Sequence, residues 1–77
     1  MINFYKIPGT VLYYIKSDSD TTTITQLYDR GDNTLKSITK YTTQARYDTI
    51  MSNSGSFLEI TEEEYTLAYN DIITFVA

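Results

Sequence analysis

The stretch Ser56-Phe57-Leu58-Glu59-Ile60-Thr61-Glu62-Glu63-Glu64-Tyr65 determines where a strand ends and a helix begins. Thr61 has the position of an N-cap residue, so its hydroxyl can accept a hydrogen bond from the Glu64 N–H, and the Glu64 carboxylate can accept one from the Thr61 N–H. Ile60 and Tyr65 occupy the two positions of a hydrophobic staple. Three glutamates fill the first turn, where carboxylates favour the positive end of the helix dipole. These features all predict a helix that begins at residue 62.

The helix that begins here is predicted to run from Glu62 to about Phe75, with a broad apolar stripe along one side. The stripe consists of Tyr65, Ala68, Tyr69, Ile72, Ile73 and Val76. Leu67 falls on the opposite, polar side of the helix, together with Glu63, Asn70 and Thr74. This pattern predicts a C-terminal helix that packs across one face of a sheet.

The chain before this stretch is predicted to form strands, because its segments are rich in β-branched and aromatic residues. The predicted strands are Ile2–Ile7, Val11–Lys16, Thr21–Tyr28, Thr34–Tyr41 and the short Phe57–Ile60. Pro8-Gly9-Thr10 predicts a turn in which Gly9 takes a positive φ. Asp29-Arg30-Gly31-Asp32-Asn33 predicts a hairpin turn, with Gly31 at positive φ.

A short helix is predicted over Gln44–Met51, with Thr42 or Thr43 as its cap. Its end is assigned to Asn53 or Gly55 in a left-handed conformation. Together the elements predict a single α+β domain over residues 1–77. The predicted architecture is a small antiparallel sheet of four to five strands, with one short helix and a C-terminal amphipathic helix on one face.

The length and composition of the chain limit how it can be stabilised. A chain of 77 residues buries only a little over about 60% of its unfolded surface, so marginal stability is expected. The sequence contains no Cys and no His, which excludes disulfides and thiolate or imidazole metal ligands. We therefore predict no cofactor and no metal. Stability must come from the apolar core, or from surface buried against a copy of the chain or a partner.

Charge is unevenly distributed along this acidic chain, whose net charge is −4 and whose pI is about 4.4. Every charged residue from Glu59 onward is negative, whereas Lys36, Lys40 and Arg46 make the middle mildly basic. This balance disfavours phosphate binding as the main role and predicts no nucleic acid as a direct ligand. The acidic helix is interpreted as a solvated face, with mimicry of nucleic acid as the rarer alternative.

The sequence offers little for catalysis, because no His or Cys is present to act as a base or nucleophile. A Ser–Lys pair would need a helical Ser-x-x-Lys, and the four lysines lie in predicted strands. A domain of this size also has little room to enclose a substrate. We predict a protein that is not an enzyme and that has no small-molecule substrate.

Two short motifs have simple structural explanations. Asp18 and Asp20 have the spacing of the first two ligands of a calcium loop, but the following residues lack its third ligand, its Gly and its distal Glu. The prediction is a solvated loop. Arg30-Gly31-Asp32 spells the tripeptide that integrins recognise, yet it lies where a hairpin needs Gly and Asp, and is interpreted as a turn.

The sequence predicts neither a signal peptide nor a membrane-spanning segment. The first residues carry no long apolar segment of the kind found in signal peptides. No run of the sequence approaches the length that spans a bilayer. We therefore expect a protein that is not secreted by a signal peptide and that has no membrane partner.

Aromatic residues are the one compositional excess, with eight Tyr and three Phe but no Trp. Tyr is common at interfaces because a large apolar ring carries a polar tip. Adjacent Tyr13 and Tyr14 must point to opposite faces of their strand, so a one-sided core cannot bury both. One of the two faces is expected to lie outside the core unless the short helix covers it. The predicted protein interface comprises Leu12, Tyr13, Tyr14 and Leu67.

The segment Phe57-Leu58-Glu59-Ile60-Thr61-Glu62-Glu63-Glu64-Tyr65 resembles a strand-to-helix segment of short, mostly uncharacterised bacteriophage proteins with the pattern F-x-E-I-T-x-E-E-Y. The opening Asn3-Phe4-Tyr5-Lys6-Ile7 is similar to theirs as well. The resemblance carries no functional residues. It implies a small phage-encoded protein of the host cytoplasm or the virion, either an assembly component or an inhibitor of a host factor.

The predicted function is non-catalytic protein–protein interaction, as a phage structural or assembly component that forms homo-oligomers or binds another protein. The alternative is a small acidic phage-encoded inhibitor of a host defence or nucleic-acid-binding protein. The two differ in behaviour, because an assembly component associates with itself and an inhibitor binds a foreign protein as a monomer or dimer.

Overall fold

The computed structural model describes residues 1–9, 11–30 and 35–76, with the backbone alone described at residue 76. Its elements are β1 (Ile2–Ile7), β2 (Leu12–Asp18), β3 (Thr23–Asp29), β4 (Lys36–Tyr41), α1 (Gln44–Met51), a 3-10 turn (Ser54–Ser56), β5 (Leu58–Glu59) and α2 (Glu62–Val76). This order confirms the predicted α+β class. The conformation predicted for Gly31 in the hairpin turn lies outside the described residues.

The strands form one antiparallel sheet with the order β4-β3-β2-β1-β5. Neighbours in this order are mostly neighbours in sequence, as expected for strands joined by short turns. The exception is β5, which pairs with β1 at the far edge after the chain has formed α1. Because α1 and the 3-10 turn connect β4 to β5, this connection carries the chain from one edge of the sheet to the other.

One face of the sheet packs against α2, and the contact forms the main core cluster. Leu27 of β3 is buried there with Tyr65 and Ile72 of α2. Partly buried residues complete the cluster: Phe4, Tyr14, Ile38, Ile60, Ala68 and Tyr69. Of the apolar stripe predicted for the C-terminal helix, Tyr65, Ala68, Tyr69 and Ile72 thus face the sheet, whereas Ile73 at its margin remains exposed.

The opposite face of the sheet is also buried. Ile15, Ser17 and Ile24 alternate with the residues that face α2, and each is at most 1% exposed. The helix α1 contacts β3, and its Arg46 guanidinium lies 5.6 Å from the ring of Tyr41, which pairs with Ile24 on this face. The sheet is therefore the middle of three layers, with α2 on one side and α1 on the other.

The predicted start of α2 is confirmed at the cap. The Glu64 N–H donates to the Thr61 hydroxyl at 3.1 Å, and Ile60 packs against the cluster that contains Tyr65. The Glu64 carboxylate does not complete the reciprocal half of the capping box, because it lies 3.3 Å from the Lys6 ammonium and forms an ion pair with it. The cap therefore also connects α2 to β1.

The helix α1 has the predicted bounds but a different end. Its cap is Thr43, whose hydroxyl accepts a hydrogen bond from the Arg46 N–H at 3.3 Å. At the other end, Ser52 is right-handed and a 3-10 turn follows, so the left-handed conformation predicted for Asn53 or Gly55 is wrong. The N–H groups of Ser52, Asn53 and Ser56 all bond to carbonyls a turn earlier, which continues the helical winding past the break.

Positive φ occurs at an unexpected place among the described residues. Gly9 does not adopt the positive φ predicted for the first turn. Thr22, in the loop between β2 and β3, has φ 51°. This value is unusual for a β-branched residue, whose Cβ crowds the backbone in the left-handed region.

Candidate functional site

The four residues predicted as a protein interface do not lie together. Tyr14 packs against the core cluster under α2. Tyr13 is on the opposite face, where its ring meets that of Tyr28 edge-on with 5.4 Å between centroids. Leu12 is half-buried near the end of the sheet, opposite Asp29. Leu67 lies on α2 and is 66% exposed.

The register confirms that Tyr13 and Tyr14 point to opposite faces, because they pair with Tyr28 and Leu27 respectively. The sequence argument for an uncovered face allowed one exception, namely cover by the short helix. Because α1 lies over the Ile24 face, the short helix does cover the buried part of that face. A role of these residues in an interface therefore stays a prediction, and Leu67 is the most accessible of the four.

A concave feature lies on the α2 side of the sheet, beside the first turns of the helix. It is an open cavity of about 410 Å³. Residues from four strands and from α2 line it: Phe4, Lys16, Thr25, Ile38, Lys40, Glu62, Tyr65, Thr66 and Tyr69. This volume is within the range of small-ligand sites, roughly 300–1,000 Å³.

The sheet register explains why two lysines meet in this cavity. Lys16 on β2 pairs with Thr25 on β3, and Thr25 pairs with Lys40 on β4. Directly paired residues point to the same face, so the two lysines flank Thr25 on that face. The Cα atoms of the two lysines are about 10 Å apart, twice the strand spacing. The arrangement concentrates positive charge in a protein of net charge −4.

These two lysines differ from the other two in their partners. Lys6 pairs with Glu64, and Lys36 pairs with Asp71 and, at 3.8 Å, with Asp29. Within the described ranges, no carboxylate oxygen lies within 4.0 Å of the Nζ of Lys16 or Lys40. The cavity therefore holds two cations that have no ion-pair partner in the described part of the protein.

Tyr65 forms part of the cavity wall and has an unusual hydroxyl group. The residue is 5% exposed, and its hydroxyl is buried with no hydrogen-bond partner in the described part of the chain. Burial, with a smaller contribution from Tyr69, raises the pKa of Tyr65 to about 12. Its ring packs on Phe4 and Tyr69, with centroid distances of 5.2 and 6.3 Å. A buried hydroxyl without a partner costs free energy of folding.

A second cavity of about 340 Å³ adjoins the first and shares Lys16, Thr25 and Lys40 with it. It extends to Ile2 and to the loop between β2 and β3, where it is lined by Asp18, Thr21 and Thr23. The uncovered half of this sheet face is thus a continuous depression with the two lysines at its centre.

The two aspartates of the loop at the end of this depression both have partners within the chain. The Asp18 carboxylate accepts a hydrogen bond from the Asp20 N–H at 3.0 Å, and the Asp20 carboxylate lies 2.8 Å from the N-terminal ammonium. Partial desolvation acts to raise the pKa of Asp18, but hydrogen bonds from Asp20 and Thr21 hold it below its usual range. Over the described residues, no group of three His, Cys, Asp or Glu side chains is placed to hold a metal ion.

A second charged cluster lies where β4 meets the end of α2. Lys36 is 8% exposed, and its ammonium contacts the Asp71 carboxylate and lies 5.6 Å from the centroid of the Phe75 ring. The hydrogen bond to Asp71 raises the pKa of Lys36, against an opposing effect of burial. Its cation is already neutralised, so the cluster holds β4 and α2 together.

Sequence reasoning did not single out Lys16 and Lys40 as a pair. The sequence pattern places Lys16 only at the end of a predicted strand, and Lys40 in the mildly basic middle of the chain. Their proximity depends on the registers of two hairpins. The sequence pattern does not define the length of the turn in one of these hairpins. Counting residues back from each turn would have found the pair only if both turns had been correctly assigned.

In the described part of the chain, no helix combines the length and the apolar character needed to cross a membrane. Comparison with known proteins gives no match to a family model, a curated protein or a solved structure. Function is therefore inferred from the surface and the cavity.

Proposed function

We propose that this protein is a non-catalytic protein–protein interaction module that associates with itself, as a structural or assembly component. The resemblance to short phage proteins supplies the proposed setting, a phage protein of the host cytoplasm or virion. The observation that supports the proposal is the amount of apolar side chain left at the surface of so small a protein.

Among the described residues, five hydrophobic side chains are buried and seven large ones are at least 39% exposed. The exposed set is Met1, Ile2, Leu35, Leu58, Leu67, Ile73 and Phe75. Single exposed apolar residues are normal on any protein. A small core combined with many exposed apolar side chains instead favours further burial in an assembly.

Leu67 is the best place to test this idea. It lies on the side of α2 that faces away from the sheet and is 66% exposed, so its replacement leaves the core intact. Tyr14 is unsuitable for the purpose, because it packs against the core cluster and its loss would destabilise the fold.

The test is sedimentation velocity at tens of micromolar in low and high salt. We expect self-association that strengthens with salt, because burial drives it and salt screens the repulsion between chains of net charge −4. Leu67→Gln should weaken association, whereas Asn70→Gln, one turn later on the same exposed side, should not. A monomer in both conditions, or equal association by both variants, would contradict the proposal.

The alternative, a small acidic inhibitor, is favoured by a different observation. Glu62, Glu63 and Glu64 are all exposed in the first turn of α2, and an exposed acidic turn can bind a basic protein surface. The same sedimentation experiment separates the two functions. An inhibitor stays a monomer or dimer alone and forms a salt-sensitive complex with a basic, nucleic-acid-binding protein.

A further inference from the structure

We propose that the cavity beside α2 binds a phosphate monoester carried on a flat apolar group, held between Lys16 and Lys40. This site is separate from the proposed self-association, which uses the outer side of α2. It also goes beyond the sequence-based expectation that phosphate binding is not the main role of the protein. Two features of the cavity support it: its charge and its aromatic wall.

The charge of the cavity matches a doubly charged anion. A phosphate monoester carries about −1.5 to −2 charges at neutral pH, and Lys16 and Lys40 are two cations without a carboxylate partner in the described ranges. Thr25 lies between them on the middle strand, and its hydroxyl can donate to a phosphate oxygen. Simple monocarboxylates would neutralise only one of the two lysines.

The wall of the cavity suits a ring. Phe4, Tyr65 and Tyr69 form a continuous aromatic surface, with centroid distances of 5.2 and 6.3 Å between successive rings, and Ile38 completes the apolar lining. Aromatic ligands pack well on such surfaces in offset or tilted arrangements. The ligand is therefore expected to place its ring against this wall and its phosphate toward the lysines.

One residue of the cavity opposes the anion. Glu62 lines the same wall and is exposed, so its carboxylate repels a phosphate that binds nearby. This opposition gives the proposal a test with two opposite signs, because removing Glu62 should strengthen binding and removing either lysine should weaken it.

The experiment is a titration followed by two-dimensional NMR of the backbone amides, with phenyl phosphate as the probe. Inorganic phosphate and benzyl alcohol serve as the charge-only and ring-only comparisons. We expect phenyl phosphate to shift the amides of Lys16, Thr25, Lys40 and Thr66, and to bind at least threefold more tightly than either comparison. A phosphotyrosine peptide, compared with phenyl phosphate, distinguishes a protein-borne ligand from a free small molecule.

Variants make the assignment specific. Lys16→Met and Lys40→Met should each weaken phenyl phosphate binding about threefold to fivefold, within the range of solvent-exposed ion pairs. Glu62→Gln should strengthen it about twofold. Lys6→Met removes the same charge outside the cavity and should change binding less than twofold.

The proposal is overturned if inorganic phosphate binds as tightly as phenyl phosphate, or if Lys6→Met weakens binding as much as the cavity variants. Shifts centred on Arg46 would also overturn it, since they would show an adventitious anion at another cation. If Lys16→Met fails to fold, Lys40→Met on the exposed edge strand β4 tests the same point.

Discussion

Tyr65 and Lys36 show how differently this small protein treats its buried polar groups. Lys36 has its charge neutralised by Asp71 and Asp29, so its burial is compensated. The Tyr65 hydroxyl has no such partner in the described part of the chain. Sequence reasoning placed Tyr65 correctly on the apolar stripe but could not foresee this, since satisfaction of a hydroxyl depends on atoms from distant parts of the chain.

The raised pKa values of Tyr65 and Lys36 predict that the protein loses stability at alkaline pH. A group whose pKa is raised by folding contributes stability that is complete below its unfolded pKa and is lost as the pH rises through its folded pKa. For Tyr65 this window runs from pH 10.0 to about 12 and corresponds to at most about 3 kcal/mol. For Lys36 the loss begins near its ordinary pKa of 10.5.

The measurement is urea unfolding at a series of pH values between 8 and about 11.5. Tyr65→Phe should flatten the decline in the free energy of unfolding and should be as stable as the natural protein, or more so, at neutral pH, because it removes a buried hydroxyl without a partner. An equally steep decline in this variant would show that Tyr65 is not the source.

At the scale of elements, agreement was best where local signals alone define the structure. The strand Ile2–Ile7 and the helix Gln44–Met51 have their predicted bounds, and α2 begins at the predicted residue. Agreement was worse where the pairing between strands determines the bounds of an element. The predicted strand Phe57–Ile60 contributes only Leu58–Glu59 to the sheet, paired with Lys6 and Tyr5 of β1, although the Ile60 N–H still donates to the Phe4 carbonyl at 2.9 Å.

The end of α1 shows the same limit. Asn and Gly are common in left-handed helix ends, and both occur after Met51. The chain nevertheless continues in a 3-10 turn, which keeps it winding toward β5 at the opposite edge of the sheet. A tertiary requirement, the crossing of a sheet face, thus overrode a local preference.

The cap of α2 gives a prediction at this scale. Thr61→Ala removes the hydroxyl that accepts from the Glu64 N–H and should lower the free energy of unfolding by about 1 kcal/mol. Thr66→Ala, inside the same helix and without a described hydrogen bond, is the control and should be neutral or slightly stabilising. Chemical denaturation measures both, and equal effects would mean that the cap does not contribute.

At the scale of the whole molecule, the sheet separates two small cores. The sequence argument treated a domain of this size as one-sided and expected part of the sheet to be uncovered. That expectation depended on how α1 would be used, and the apolar face of this helix is too short for its docking site to be read from periodicity. Burial of Ile15, Ser17 and Ile24 shows that the side of the sheet opposite α2 is a core in its own right.

This arrangement predicts that the two sides contribute similarly to stability. Ile24 lies on the α1 side and Ile72 on the α2 side, and each is at most 1% exposed. Replacing either with Ala should cost about 2–5 kcal/mol through lost burial and the cavity left behind. For a domain of this length, such a loss is a large part of the total stability, and much of either variant should be unfolded near 37 °C.

The measurement is thermal and urea unfolding of Ile24→Ala and Ile72→Ala, followed by circular dichroism and by tyrosine fluorescence. Because the same strands form both cores, each variant should still unfold in one transition, with coincident curves from the two probes. Ile73→Ala, at the exposed margin of α2, is the control and should change stability little. If Ile24→Ala behaved like this control, α1 would not form a second core, and the uncovered sheet face would again be the leading candidate for self-association.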